Sequence, residues 1–190
     1  MSKITLAPDV SGSGTFTIAA PNSNIDRTLT LPDNSGTLLS NASTAGVSQA
    51  MLASGVAGTG PAFSVYQASA ATTLSSNVWV KLTFDTEEFD TNNNFASSRF
   101  TPTVAGYYQV TANAAMAATS ASLNIKFYKN GVANKGGAYP VSANWTQATA
   151  LIYCNGTTDY IEAYCLSSAS QNTFVGIDAT WFAGAMVRAA

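Results

Sequence analysis

The sequence has no histidine. The commonest general base and the commonest transition-metal ligand are therefore absent together, and any Ser or Cys nucleophile lacks its usual activator. Charge is scarce as well: Asp, Glu, Lys and Arg make up 9% of the 190 residues, against roughly 25% in ordinary soluble proteins. A formal net charge of −2, with no cluster of Lys or Arg, offers no electrostatic footprint for a phosphate backbone or an anionic lipid. Nucleic acid and membrane surfaces are thus poor candidates as partners. No run approaches the ~18 apolar residues of a membrane span. Met1 to Val10, with Lys3, Pro8 and Asp9, has no apolar stretch of the kind a secretory signal needs. Synthesis in a cytoplasm, without export or membrane insertion, is the expectation.

Cysteine is nearly absent too, with only Cys154 and Cys165. They flank an expected hairpin of Ala148 to Cys154 and Asp159 to Leu166. Keeping Ala150, Ile152 and Cys154 on one face with Ile161, Ala163 and Cys165 requires the four-residue loop Asn155 to Thr158, because a slip of one residue turns a strand inside out. Cys154 then faces Asp159 and Cys165 faces Ala148. That leaves the thiols roughly 20 Å apart along the ladder, beyond the ~7 Å between Cα atoms that a disulfide tolerates. Two free, buried cysteines are expected.

What the chain does have is 46% hydrophobic and 11% aromatic residues, enough to fold a compact unit. Residues 1–40 read as a β arm. Ile4 and Leu6, Phe16 and Ile18, and Leu29 and Leu31 are each spaced by two, and Ser11–Gly14, Pro21–Asn24 and Pro32–Gly36 supply turns between them. Each burst carries too few apolar side chains to offset ~1 to 2 kcal/mol of backbone entropy per ordered residue. The arm should be stable only against copies of itself or a host assembly. Residues 41–60 are rich in Ala, Ser, Gly and Thr, with one possible helical turn at Val47, Ala50 and Met51; they read as a linker or neck.

Residues 61–190 read as an all-β head, sandwich or jelly roll. Strands are expected at Phe63–Gln67, Val78–Phe84, Tyr107–Ala114, Leu123–Lys129, Ala148–Cys154, Asp159–Leu166 and within Val175–Val187. Alternation assigns Val78, Val80, Leu82 and Phe84, and likewise Leu123, Ile125 and Phe127, to the core. The opposite faces carry Tyr107, Leu151, Tyr153, Tyr160, Tyr164 and Leu166. Such a set suggests a subunit interface, where Tyr buries its ring while its hydroxyl finds a partner. Scattered apolar surface of the kind monomers show is the equal alternative on these residues alone.

Several segments of the head resemble a known family. Ala62-Phe63-Ser64-Val65, Phe84-Asp85, the run Phe100 to Val110 (FTPTVAGYYQV), Phe127-Tyr128-Lys129-Asn130-Gly131 and Thr180-Trp181-Phe182-Ala183-Gly184 occur in the order found in the globular head of the first complement component, subcomponent q. The resemblance covers about Pro61 to the end. It implies a ten-strand jelly roll related to tumour necrosis factor, assembly as a three-fold trimer, and binding by outer loops rather than catalysis. It also favours the interface reading of the tyrosine face. Within these segments Pro102 presets a turn and Gly106 is expected to supply free backbone angles. Asn130-Gly131 reads independently as a hairpin turn. The arm, in Gly14–Ile18 and Arg27–Leu39, is similar to segments of tail fibre and virion appendage proteins of tailed phages.

Other chemistry is thin. Asp85, Glu87, Glu88 and Asp90 form the one acidic cluster and offer oxygen ligands to calcium or a carboxylate pair for glycoside cleavage, but a solvated rim is the plainer reading. Gly12-Ser13-Gly14 and Gly58-Thr59-Gly60 lack the following Lys-Ser/Thr of a phosphate loop. Trp145, Tyr139 and Trp181 are candidate sugar platforms; Trp145, in the loop-like stretch Pro140–Gln147, is favoured if exposed, with burial in core or interface as the alternative. The expectation is a trimeric, non-enzymatic virion protein of a bacteriophage without cofactor or metal, docked to other virion proteins through residues 1–40. Its head would contact a host surface glycan or protein, as a tail fibre does, or decorate the capsid. A bacterial adhesion or carbohydrate-binding module outside any virion is the alternative.

Overall fold

The structure, a computed structural model, describes residues 60–116, 121–137 and 143–190, together with residues 11–14, 17, 22, 24–26 and 28. Backbone proximity divides the chain into two units, Met1–Ser40 and Asn41–Ala190. In the first unit, a turn at Ser11 and bends at Gly14 and Asn22 fall at the expected turn sequences. The apolar positions expected there to form strands, and the helical turn at Val47, Ala50 and Met51, lie outside the described residues.

The second unit is all-β among its described residues. Its strands are β1 (Ala62–Tyr66), β2 (Thr73–Leu74), β3 (Trp79–Lys81), β4 (Thr86–Asp90), β5 (Phe95–Ala96), β6 (Arg99–Phe100), β7 (Ala105–Ala115), β8 (Leu123–Lys129), β9 (Val132–Gly136), β10 (Trp145–Asn155), β11 (Ile161–Ser167), β12 (Gln171–Asn172) and β13 (Trp181–Ala189). One sheet has the order β10-β7-β13-β1-β4; the other runs β5-β6-β11-β8-β9, with β3 also on β11, and β12 pairs with β2. From β7 onward the chain alternates between the two main sheets: β7 in the first, β8 and β9 in the second, β10 back in the first, β11 in the second and β13 in the first. That alternation gives the jelly roll its two layers around one core.

The alternation overturns the expected hairpin. β10 pairs with β7 along its whole length, whereas β11 pairs with β8, β3 and β6. Two adjacent strands with apolar inner faces can close a core between sheets as well as along one ladder, and periodicity alone does not separate the cases. Cys154 is therefore level with Gly106, and Cys165 with Ile125 and Val80. Both thiols are free and buried, as expected, though from opposite layers.

Between the sheets Phe63 stacks on Phe100 with centroids 4.3 Å apart and meets Phe182 edge-on at 4.8 Å. All three rings are fully buried, and each contributes on the order of 1.5–3 kcal/mol through burial alone. Leu123, Ile125 and Phe127 are core as expected. Val78 is not: it is 51% exposed, because Asn77 at φ 59 redirects the chain just before β3 begins. β3 ends at Lys81, so Val80 and Phe84 are partly buried and only Leu82 of the expected set is fully so. The turn between β8 and β9 has Asn130 at φ 54 and Gly131 at φ 77, the paired positive angles that Asn-Gly predicts. Gly106 serves a different purpose from the one expected. A Cβ there would stand 2.6 Å from the Arg188 carbonyl oxygen, so the residue allows close approach of β7 and β13 rather than unusual angles.

Candidate functional site

The outward face of the first sheet can be read in rows from the register. Tyr153 pairs with Tyr107 and Tyr107 with Arg188; Leu151 pairs with Gln109 and Gln109 with Ala185. Thr149, Thr111 and Ala183 form the next row, and Gln147, Asn113 and Trp181 the one after it. Ala62, Ser64 and Tyr66 of β1 continue these rows. Strands β7 and β10 contain no charged residue, and β13 has only Arg188. The centre is floored by Ala183, Ala185, Ser64 and Ala62, with aromatic rings at both ends.

Tyr107 and Tyr153 meet with centroids 5.4 Å apart. They are each 41% exposed, and Leu151 beside them is 47% exposed. Together with Val187, Arg188, Ala189 and Ala190 they line an open depression of about 700 Å³. The Thr111 and Thr149 hydroxyls are 3.0 Å apart, one donating to the other. These side chains satisfy one another laterally and leave an apolar upper surface.

Tyr160, Tyr164 and Leu166 lie elsewhere. Tyr164 and Leu166 belong to β11 in the second sheet, and Tyr160 immediately precedes it; the six residues do not make one face. Sequence reading joined them because it treated β10 and β11 as a hairpin. Tyr164 stacks on Tyr128 at 3.9 Å, the Arg99 guanidinium sits 3.8 Å over the Tyr160 ring, and Lys126 lies 4.5 Å over Trp79. At their centre Glu162, 3% exposed, accepts from Lys81 at 2.8 Å and Arg99 at 3.0 Å. Burial pushes the Glu162 carboxyl up, but the hydrogen bonds and charge of Lys81 and Arg99 outweigh it and hold the group below its usual range. The second sheet thus pairs Glu162 with Lys81 and Arg99, whereas in the first sheet charge is confined to Arg188 of β13 and the acidic residues of the edge strand β4.

Three members of the acidic cluster, Asp85, Glu88 and Asp90, are engaged in the fold. Asp85 accepts from the Ala68, Ser69 and Ala70 amides at 2.6, 2.9 and 2.8 Å and from the Ser69 hydroxyl at 2.8 Å. Asp90 accepts from the Phe95 amide at 2.6 Å, and Glu88 from the Ser64 hydroxyl at 2.7 Å. Among the described residues no group of three or more His, Cys, Asp or Glu is arranged to hold a metal ion.

Trp145 opens β10 rather than sitting in a loop, and is 51% exposed. Trp181 opens β13 two strands away. Tyr139 lies outside the described residues. Sequence reading missed Asn113 and Gln147, which share this end of the sheet; the alternation of β7 and β10 placed both outward, but neither residue type draws notice by itself.

No family model matches the sequence, and no curated protein does. Solved structures do match. The globular domain of zebrafish complement 1qA protein is similar at 16% identity and a TM-score of 0.50, over 69% of this chain and 99% of that one. The vertex protein P5 of phage PRD1 is similar at 14% identity and a TM-score of 0.54, over 67% and 97%. Murine APRIL is similar at 6% identity and a TM-score of 0.52, over 66% and 98%. At these identities the likeness is one of fold: the head shares the jelly-roll fold of these three proteins.

Proposed function

We propose that the chain is a non-enzymatic structural protein of a bacteriophage virion that assembles as a homotrimer through the Tyr107, Leu151 and Tyr153 end of the outward face of its first sheet. Residues 1–40 dock it to the particle, residues 41–60 form a neck, and the head of residues 61–190 projects for host-surface attachment or decorates the shell. The observation that carries this reading is the apolar patch of Tyr107, Leu151 and Tyr153 on strands β7 and β10, which hold no charged residue. Large exposed apolar side chains over a floor of small residues suit a second protein surface better than water. The shared fold with a phage vertex protein supports the virion setting. Trimers carried in many copies on a particle attach by multivalency, so each head needs only weak affinity.

Native mass spectrometry of the full chain tests the assembly, with a species of three times the 19.6 kDa chain mass expected; a monomer at micromolar concentration overturns it. Immunogold electron microscopy of intact particles tests the setting, and label at the tail or at the capsid distinguishes attachment from decoration.

A further inference from the structure

Asn113 of β7 pairs with Gln147 of β10 on one side and with Trp181 of β13 on the other. Trp145 is the next outward residue along β10. Two strand spacings set the two tryptophan-bearing strands about 10 Å apart. Between them is a depression of about 450 Å³ lined by Trp145, Trp181, Asn113, Gln147 and Thr146, a volume within the range of small-ligand sites. None of the five lining residues is charged. Asn113 is 5% exposed and its Nδ2 donates to the Ala179 carbonyl, so it forms a fixed floor, and Gln147 is the exposed carboxamide of the slot.

A pyranose has an apolar face of C–H groups and a rim of hydroxyls that both donate and accept. Indole rings suit the first and carboxamides, with donor and acceptor on one group, suit the second. The lack of a charged lining residue among the described residues disfavours uronic, sialic and phosphorylated sugars, whose anions would be desolvated without a counter-charge. We propose that the slot between Trp145 and Trp181 binds a neutral pyranose of a surface glycan. This rests on the reading of the head as an attachment module and gives that module its ligand class.

Trp79, the third tryptophan, lies in the other sheet beneath Lys126 and serves as an internal control. The full-length ¹⁵N-labelled protein is titrated with maltohexaose, lactose, mannobiose and tri-N-acetylchitotriose, which present gluco-, galacto-, manno- and N-acetylated rings. The indole N–H signals of Trp145 and Trp181 should shift together with at least one of them while that of Trp79 stays fixed. Trp145→Ala should weaken the apparent Kd about tenfold, equivalent to ~1.4 kcal/mol. Gln147→Ala, on an exposed position, gives a second, milder variant should the first misfold. No shift with any of the four sugars overturns the proposal, as does equal movement of all three indoles. Native mass separates the two readings. A Trp145→Ala chain that loses its oligomeric mass places the residue in a subunit contact and sinks the sugar slot alone, whereas a monomeric wild type that still binds sinks the trimer alone.

Discussion

Ser97 and Ser98 have φ of 52 and 55 in the two-residue turn that closes β5 on β6, where Ala96 pairs with Arg99. A left-handed conformation costs an ordinary L-residue roughly 1–2 kcal/mol, and turns of this kind favour Asn-Gly. The two serines are not equivalent. Ser98 is buried and its hydroxyl accepts the Phe84 amide at 2.9 Å, while Ser97 is exposed and only its carbonyl is used, by Lys81 at 2.9 Å. Ser97→Asn should therefore stabilise the head by about 0.5–1 kcal/mol, seen as a higher midpoint in urea, whereas Ser98→Gly should gain less or lose. Asp85 makes a pH-dependent contribution of the opposite kind. Hydrogen bonds from the Ala68 amide first, then the Ser69 hydroxyl and the Ser69 and Ala70 amides, hold its carboxyl well below the ordinary value of 3.8. A carboxyl depressed by folding stabilises the native state above its unfolded value and loses that contribution as pH falls towards the folded one. Asp85→Asn should lower the melting temperature at pH 7, and the gap from wild type should close as the pH is taken progressively below 3.8.

At the scale of elements, the crossing from β10 to β11 governs the layers. Its tip is tied by Asn155, whose Oδ1 accepts the Thr157, Thr158 and Asp159 amides, each at 3.0 Å. Asp159 accepts from Lys129 at 2.8 Å and from Asn130 at 2.7 Å, so the tip is braced against the β8–β9 turn. Gly156 has φ +74, and a Cβ there would stand 2.6 Å from the Val104 carbonyl carbon, with backbone rather than a flexible side chain in the way. Gly156→Ala should cost ~2 kcal/mol or more, measured by thermal unfolding, with Thr157→Ala close to neutral as the control. Much of the fold was legible in the sequence: strand existence, the inward phase of Leu123, Ile125 and Phe127, the Asn130-Gly131 turn and the jelly-roll class all follow from alternation, turn chemistry and the resemblance. Which strand pairs with which was not. Ala150, Ile152 and Cys154 have the same inward period whether β11 is a ladder neighbour or lies across the core, and a four-residue connection serves either arrangement. The candidate site suffered from that ambiguity. Tyr107 with Leu151 and Tyr153 was correctly grouped because β7 and β10 are true neighbours, and Tyr160, Tyr164 and Leu166 were joined to them only through the false hairpin.

For the whole molecule, the contrast between the two sheets yields a paired experiment. Leu151 and Leu166 are outward-facing leucines in opposite layers, and a single arginine at either leaves the core untouched. At Leu166 the new cation would join a surface that already holds Lys81, Arg99 and Lys126 against Glu162, Tyr160 and Trp79, where the guanidinium can remain in water. At Leu151 it would enter a face whose neighbours are Gln109, Tyr107 and Tyr153, and in a trimer it would be brought towards its symmetry mates with no carboxylate on β7, β10 or β13 to meet it. Unpaired charge buried at an interface costs several kcal/mol per site, and three-fold symmetry repeats the cost at every contact. Leu151→Arg should consequently shift the native mass from three chains to one at micromolar concentration, with Leu166→Arg keeping the wild-type mass. Both variants should retain the β-rich circular dichroism of the folded head, since neither side chain is in the core. A reversed outcome would move the assembly surface to the second sheet, and equal insensitivity of both would mean that neither broad face holds the subunits together.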